Sequence, residues 1–348
     1  MNSTLFTYAS ARVRAMEPML LDHTDVERML GAPSAREAYK ILNDTAYANH
    51  IGDIEDVYSF QEVVTAGLLD SKEILIRICP QPEILDILFF RYDFHNMKSI
   101  LKGMKHDKDK EEIEAHLLPL GRVPVTDLLT FFYDKDRPFL PLHEEQVEKI
   151  RLAIEIAKKL SEASDNDPRI LDLVLDKHMM ELVLNTAQKS KNAFVLDFVQ
   201  KWVDLSNAKA FLRIKLLGQE EYFQEKGLIN EVLADGGKMP RYKFVDSLDM
   251  DKGALANVFR GTDYHETIQK GLEAYEKDKS FAHIEQHADN YLMAAAKKSR
   301  FIPAGPEALI SYFFAKQNNA QIIRIIMVGK LAALPEESIR ERLNDLFT

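Results

Sequence analysis

The chain has 348 residues, with 45 Lys and Arg against 55 Asp and Glu, and so a formal charge of −10. That balance argues against a protein that coats nucleic acid or anionic lipid, because both modes draw on an excess of cations. The single cysteine, Cys79, excludes an intrachain disulfide and a cysteine metal cluster, and it fits a reducing cytoplasm.

Read in chain order, the sequence is a succession of helix signals. Residues 1–6 lack a basic segment leading into an apolar stretch, so no signal peptide is expected. Arg12 and Arg14 form a candidate local basic patch. The apolar runs at 84–90 and 308–315 are the length of core helices and fall short of the ~18 residues that span a bilayer. At 147–160, Val147, Ile150, Ala153, Ile154 and Ala157 make one stripe among charged neighbours, which predicts an amphipathic helix. Asp167 and Pro168 then open a helix over 170–186. Leu334 and Pro335 open another that should run to about Leu346. Breaks are expected at 103–110, 132–142, 235–240 and 299–306, where Gly, Pro and Asp collect. The best candidate for a strand is the short segment 241–245. With only 14 glycines and 13 prolines, the chain reads as all-α.

One phrase occurs three times. Asp93, Asn96, Met97, Lys98, Ile100, Leu101 and Lys102 return as Asp204, Asn207, Ala208, Lys209, Phe211, Leu212 and Arg213. They return again as Lys316, Asn319, Ala320, Gln321, Ile323, Arg324 and Ile325. Asn96 and Asn207 are 111 residues apart, and Asn207 and Asn319 are 112 apart. Three periods nearly fill the chain, so it divides into helical repeat units at 1–113, 114–225 and 226–348. Each copy follows an apolar helix and precedes another, which begins near Pro124, Leu228 or Pro335. The expected unit is helix, tight turn, Asn-marked helix, variable gap and short helix. Asn96, Asn207 and Asn319 are its markers, expected to cap the second helix or bridge the turn.

Motifs that carry chemistry are absent or weak. Neither GxGxxG nor GxxxxGK[ST] occurs, and the Gly237-Lys238 and Gly329-Lys330 pairs lack the upstream glycine. His283 and His287 flank Glu285 with no third ligand at recognisable spacing, so an exposed polar helix face is expected there. Apolar neighbours make Cys79 a buried structural thiol. The acid pairs Glu55/Asp56 and Asp165/Asp167 read as solvated carboxylates. Phe89, Phe90, Tyr92, Phe94, Trp202, Tyr312, Phe313 and Phe314 precede the marker asparagines at helical spacing, which suits core packing or a protein interface. No catalytic, cofactor-binding or metal-binding residue is assigned. Three classes remain: a non-enzymatic adaptor, a helical-repeat scaffold, and an all-helical enzyme with an unrecognised site.

The stretch from Gly305 and Pro306 through Tyr312, Lys316, Asn319, Arg324 and Gly329 to Pro335 and Arg340 resembles the end of the C subunit of bacterial and archaeal V/A-type ATPases. It is similar also to the d subunit of the eukaryotic V-ATPase. Tyr8, Arg12, Arg14, Met16 and Glu17, followed by Leu20 and Leu21, fit the opening of that family. The resemblance implies an all-α, pseudo-threefold, funnel-shaped body on the cytoplasmic face of the membrane. It implies a non-catalytic rotor component that receives the central stalk and sits on the membrane rotor ring. Its part would be to couple ATP turnover to proton or sodium transport, with no cofactor, no nucleic acid and no membrane insertion of its own.

Overall fold

A computed structural model describes residues 3–51, 56–134, 139–164 and 167–348. Glu55, Asp165 and the part of the 132–142 break at 135–138 lie outside the described residues. The chain opens with α1 (Thr7–Met16), α2 (His23–Gly31), α3 (Ala35–Ile41), α4 (Ala48–Ile51) and α5 (Phe60–Ile78). There follow α6 (Asp86–Lys105), α7 (Lys110–Glu114), α8 (Val125–Tyr133), α9 (Glu144–Ala163), α10 (Pro168–Lys189), α11 (Ala193–Leu216), α12 (Glu220–Glu225), α13 (Ile229–Val232) and α14 (Tyr242–Val245). The last four are α15 (His265–Asp278), α16 (Ala282–Lys297), α17 (Pro306–Leu331) and α18 (Glu336–Arg340). Among the described residues there is no strand, and the fold is all-α. In 241–245, the best candidate for a strand, residues 242–245 form the single helical turn α14. Tyr242 is exposed there while Phe244 is buried, a pattern of two that one helical turn can also present. The last helix stops at Arg340, short of the expected Leu346.

Helix starts follow local chemistry. Asp22 accepts from the Asp25 amide at 2.9 Å while Asp25 accepts from the Asp22 amide at 3.3 Å, a reciprocal box that opens α2. Asp167 accepts from the Arg169 amide at 2.9 Å and grips the Arg169 guanidinium, so it starts α10 ahead of Pro168. Asp56 likewise accepts from the Tyr58 amide at 2.9 Å. These two carboxylates, read from sequence as solvated, are caps. Asn192 starts α11 by accepting from the Val195 amide at 2.9 Å. At its far end, α15 closes on Lys279 in the left-handed region at φ 58°.

The chain forms two compact units, Met1–Leu85 with Gly261–Thr348, and Asp86–Arg260. In the first, α17 is the centre. It is buried along most of its length and packs against α5, α1, α16 and α3. Polar ties hold that packing in register. Ser10 Oγ donates to the Gly305 carbonyl at 3.1 Å and accepts from the Gly305 amide at 3.0 Å, fixing α1 to the start of α17. Lys330 Nζ donates to the carbonyls of Leu30 and Ala32, closing the end of α2. Arg340 makes a two-pronged pair with Glu27, with Nη2 to Oε2 at 2.9 Å.

In the second unit α10 is central and packs against α9, α6, α11 and α13. Lys98 reaches Asp176 at 2.7 Å and Lys102 reaches Asp172 at 2.7 Å, pinning α6 to α10. Both lysines belong to the repeated phrase, so part of that phrase serves helix pairing. The aromatics before the asparagines are core: Phe89, Phe90, Phe94, Trp202, Phe313 and Phe314 are all buried.

This burial sets the cost of truncation. Phe313 is 0% exposed and Phe301 is 88% exposed. Phe313→Ala should lower unfolding stability by about 3–5 kcal/mol, while Phe301→Ala should stay within about 0.5 kcal/mol of the parent. Urea denaturation followed by circular dichroism reads both; equal effects would contradict the assigned core.

Candidate functional site: backbone clasps on the long helices

The marker asparagines do not cap helices. Asn96 lies in the middle of α6, Asn207 in the middle of α11 and Asn319 in the middle of α17. No turn separates the second and third copies of the phrase from the apolar residues before them, because each is one continuous helix. What the Asn96 and Asn207 side chains do instead is hold a distant loop. Asn96 Nδ2 donates to the Leu118 carbonyl and Oδ1 accepts from the Leu118 amide, both at 2.8 Å. Asn207 treats Ala234 identically, again with both bonds at 2.8 Å. A primary amide presents one donor and one acceptor side by side, so it can satisfy both backbone groups of a single residue.

Three residues earlier, on the same helix face, a buried carboxylate completes the grip. Asp93 accepts from the Arg122 amide at 2.8 Å and the Val123 amide at 3.0 Å. Asp204 accepts from the Lys238 amide at 2.9 Å and the Met239 amide at 3.0 Å. One helical heptad before that, Asp86 pairs with Arg122 at 3.1 Å and Asp197 pairs with Lys238. Burial works to raise the Asp197 carboxyl, but Lys201 and Lys238 outweigh it and hold the group below the usual carboxylate range.

Each clasp needs a glycine. A Cβ on Gly121 would lie 2.1 Å from Asp93 Oδ1, and one on Gly237 would lie 2.0 Å from Asp204 Oδ1. The clasped loops therefore read Gly121-Arg122-Val123-Pro124 and Gly237-Lys238-Met239-Pro240. This second repeated signal, 116 residues apart, is in the sequence. It escapes a search at the period of the asparagines because 22 residues separate Asn96 from Leu118 and 27 separate Asn207 from Ala234. The helix after Pro240 is thus the counterpart of the one after Pro124, and the segment from Leu228, expected in that place, instead precedes its clasp.

The third copy differs. Lys316 stands where the clasp carboxylate stands elsewhere, and Leu309 where the heptad carboxylate stands. Asn319 is buried, and its neighbour Asn318 donates to the Asp345 carbonyl at 2.8 Å. Lys316 is 4% exposed and lies over the Tyr47 ring at 4.4 Å. Gly67 lets that ring approach, since a Cβ there would fall 2.5 Å from it. Asp70, whose charge acts on Lys316, is engaged by His50 at 2.8 Å. Burial pushes the Lys316 ammonium down to about 8, with Asp70 opposing. Close helix–helix approach is retained: Ile113 of α7 packs on Gly103, and Ile339 of α18 packs on Gly329. Each glycine precedes its isoleucine by ten residues.

The other sequence candidates sit as follows. Arg14 turns inward, donating to the Ser299 and Ile302 carbonyls and pairing with Glu17, whereas Arg12 is exposed. His283 Nε2 lies 3.0 Å from Asp278 Oδ2, and burial lowers His287. Cys79 is buried with its Sγ 3.3 Å from the Gln81 carbonyl, and burial pushes the thiol up to about 11. Beside the second clasp is an open pocket of about 410 Å³, lined among others by Asp235, Met239, Pro240, Arg241, Tyr242 and Asp246.

Two outcomes follow from the buried groups. Asn207→Ala leaves both backbone groups of buried Ala234 without partners and should cost about 1–3 kcal/mol of unfolding free energy, as should Gly237→Ala through loss of the Asp204 bonds. Asn230→Ala, at an exposed side chain in the same unit, is the control and should cost under about 0.5 kcal/mol. Lys316 gives a pH signature. Its folded-state value, about 8, lies below the 10.5 of a free lysine, so between those values the unfolded chain binds more protons. The penalty is fully present below about pH 8 and fades as pH rises toward 10.5. Lys316→Met should therefore be stabilising at pH 7, with an advantage that shrinks by pH 10; an advantage constant across that range would contradict the buried, unpaired ammonium.

Comparison with known proteins gives the context of this arrangement. The family model for the ATP synthase (C/AC39) subunit matches residues 9–342. The chain is similar to the C subunit of the A-type ATP synthase of Methanocaldococcus jannaschii, 26% identical over 98% of this chain and 86% of that protein. It is similar to its counterpart in Methanosphaera stadtmanae, 25% identical over 97% of this chain and 87% of that protein. It also resembles the C subunit of the V-type sodium ATPase of Enterococcus hirae, 20% identical over 96% of this chain and 97% of that protein. The chain belongs to the ATP synthase (C/AC39) subunit family and is one component of a rotary A/V-type ATP synthase.

Proposed function

We propose that this chain is the non-catalytic link between the central stalk and the membrane rotor ring of its complex, on the cytoplasmic face. In this role it couples ATP turnover to the movement of protons or sodium ions. The family match over residues 9–342 is the observation that carries the reading. Among the described residues no helix is long and apolar enough to cross a membrane, so a hold on the ring would come from surface contacts. The sequence contains no phosphate-binding loop of either common kind, which supports placing nucleotide turnover on other subunits.

The clasps suit this part mechanically. A body that passes torque must resist shear between its helices and its loops. Each clasp gives a loop four hydrogen bonds from two side chains on one long helix. Charge-assisted bonds to a buried carboxylate are among the stronger kinds. The two clasps, with the Gly103–Ile113 and Gly329–Ile339 packing, support repetition of one unit, which we place at 1–113, 114–225 and 226–348, each clasp reaching from its marker helix into the first residues of the next span. Asn96, Asn207 and Asn319 mark them, in a funnel-shaped body with pseudo-threefold symmetry.

The test is ATP-driven ion uptake into vesicles reconstituted with the remaining complex, with and without this chain. Uptake should be lost without the chain and restored by adding it, while ATP hydrolysis by the soluble catalytic part continues. Undiminished uptake in its absence would remove the coupling role. Turnover of ATP by the chain alone, free of other subunits, would remove the non-catalytic one.

A further inference from the structure

The two clasps of the second unit hold the same backbone frame but carry different side chains. Leu118, Arg122 and Val123 correspond to Ala234, Lys238 and Met239 at a constant offset of 116 residues. At that offset Pro119, Thr126 and Thr130 beside the first clasp become Asp235, Tyr242 and Asp246 beside the second. An aromatic ring and two carboxylates have thus been placed on a frame that does not need them.

They meet at the pocket of about 410 Å³. Pro240 and Val245 give it apolar surface, and Tyr242, 61% exposed, stands at its edge. The one cation of the lining, Arg241, is already engaged by Asp235 at 3.1 Å and the Asn230 carbonyl at 3.5 Å. Asp246 is exposed and makes no ion pair among the described residues. The lining therefore offers apolar surface, an open aromatic face and an uncompensated carboxylate. That combination complements a cation carried on an aliphatic stem: the stem lies on apolar surface, and the charge meets ring and carboxylate. The floor is pre-organised, because Asp204 and Asn207 fix the backbone from 234 to 239 before anything binds.

We infer that this pocket receives a lysine or arginine side chain from another protein of the complex. A protein is favoured over a free small cation because Tyr242, in the pocket lining, remains 61% exposed. Covering that much apolar surface takes a partner surface around the cation. The inference rests on the assignment of the chain to a multi-subunit ATPase and adds a docking residue class to it.

The test titrates full-length chain into vesicles carrying the remaining complex and reads the concentration that half-restores association. Tyr242→Leu and Asp246→Asn should each weaken association about two- to fivefold, the scale of exposed cation–π and ion-pair contacts. Asp246→Lys should weaken it more than tenfold, because a like charge then faces the incoming cation. Melting temperature checks the fold of each variant, and these are exposed positions outside the clasp. A photoreactive Tyr242→p-benzoylphenylalanine chain, crosslinked in the assembled complex, should give an adduct on a partner peptide containing Lys or Arg. If wild-type chain fails to associate at all, the family-based assignment to the complex is at fault and this inference falls with it. If wild type associates while all three variants stay within twofold, or the crosslink lands on no other protein of the complex, the inference alone is overturned. Spermidine binding to the free chain that depends on Tyr242, with unchanged assembly, would overturn it in favour of a small polyamine.

Discussion

The rest of the second unit depends on a carboxylate and an amide set three residues apart on a long buried helix. Alone, each is a liability: Asp93, Asn96, Asp204 and Asn207 are all buried polar groups. A buried polar group without a partner is costly, so each must be matched by groups of opposite hydrogen-bonding sense. The loops supply those groups. Their amides and carbonyls, drawn under the helices, also need partners they cannot find within a turn. Helix side chain and loop backbone thus satisfy one another, and neither can be changed alone. The constraint extends to glycine, since Gly121 and Gly237 must present bare Cα atoms for the carboxylates to come close. It extends to the basic residue after each glycine, which returns to an aspartate one heptad up the helix.

The same logic accounts for how the first unit departs from the second. Where Lys316 replaces the carboxylate, a loop amide would face a cation, which cannot accept its hydrogen bond. The remaining ties around α17 are of another kind. Ser10 clasps Gly305, Asn318 holds the Asp345 carbonyl, and Gln286 donates to the carbonyls of Glu341 and Leu343. Lys316 itself lies on an aromatic face, which offsets part of the cost of burying its charge. Loss of the carboxylate has thus been accompanied by neutral amide contacts that need no counter-charge.

The sequence makes the all-α class, the amphipathic α9 and the start of α10 at Pro168 legible, because each rests on local rules: helical period and proline at the first turn. Asn96, Asn207 and Asn319 can also be singled out, since an identical residue at a near-constant spacing is a pattern in one dimension. What they do is not local. The partners of Asn96 and Asn207 lie 22 and 27 residues away, and unequal gaps break the period that would pair glycine loop with asparagine helix. In isolation an asparagine before a helical run reads as a cap, because capping is what a short amide does near a free helix end. Only burial in mid-helix reverses that reading. For the same reason the short α14 passes for a strand, since four residues carry too few turns to display a period.

The divergence between copies is where a duplicated frame can acquire a specific role. A clasp fixes backbone, so the side chains just outside it can change without cost to the fold. Beside the first clasp those positions hold Pro119, Thr126 and Thr130, which offer little to a charged partner. Beside the second they hold Asp235, Tyr242 and Asp246, and the pocket lies there. In the first unit the carboxylate of the clasp is itself replaced by Lys316. Repetition therefore supplies stiffness, and departure from repetition supplies discrimination between surfaces. For a component of a rotary machine both are required at once. A uniform body could not tell one partner from another, and a body varied throughout would lose the shared clasps that hold its loops.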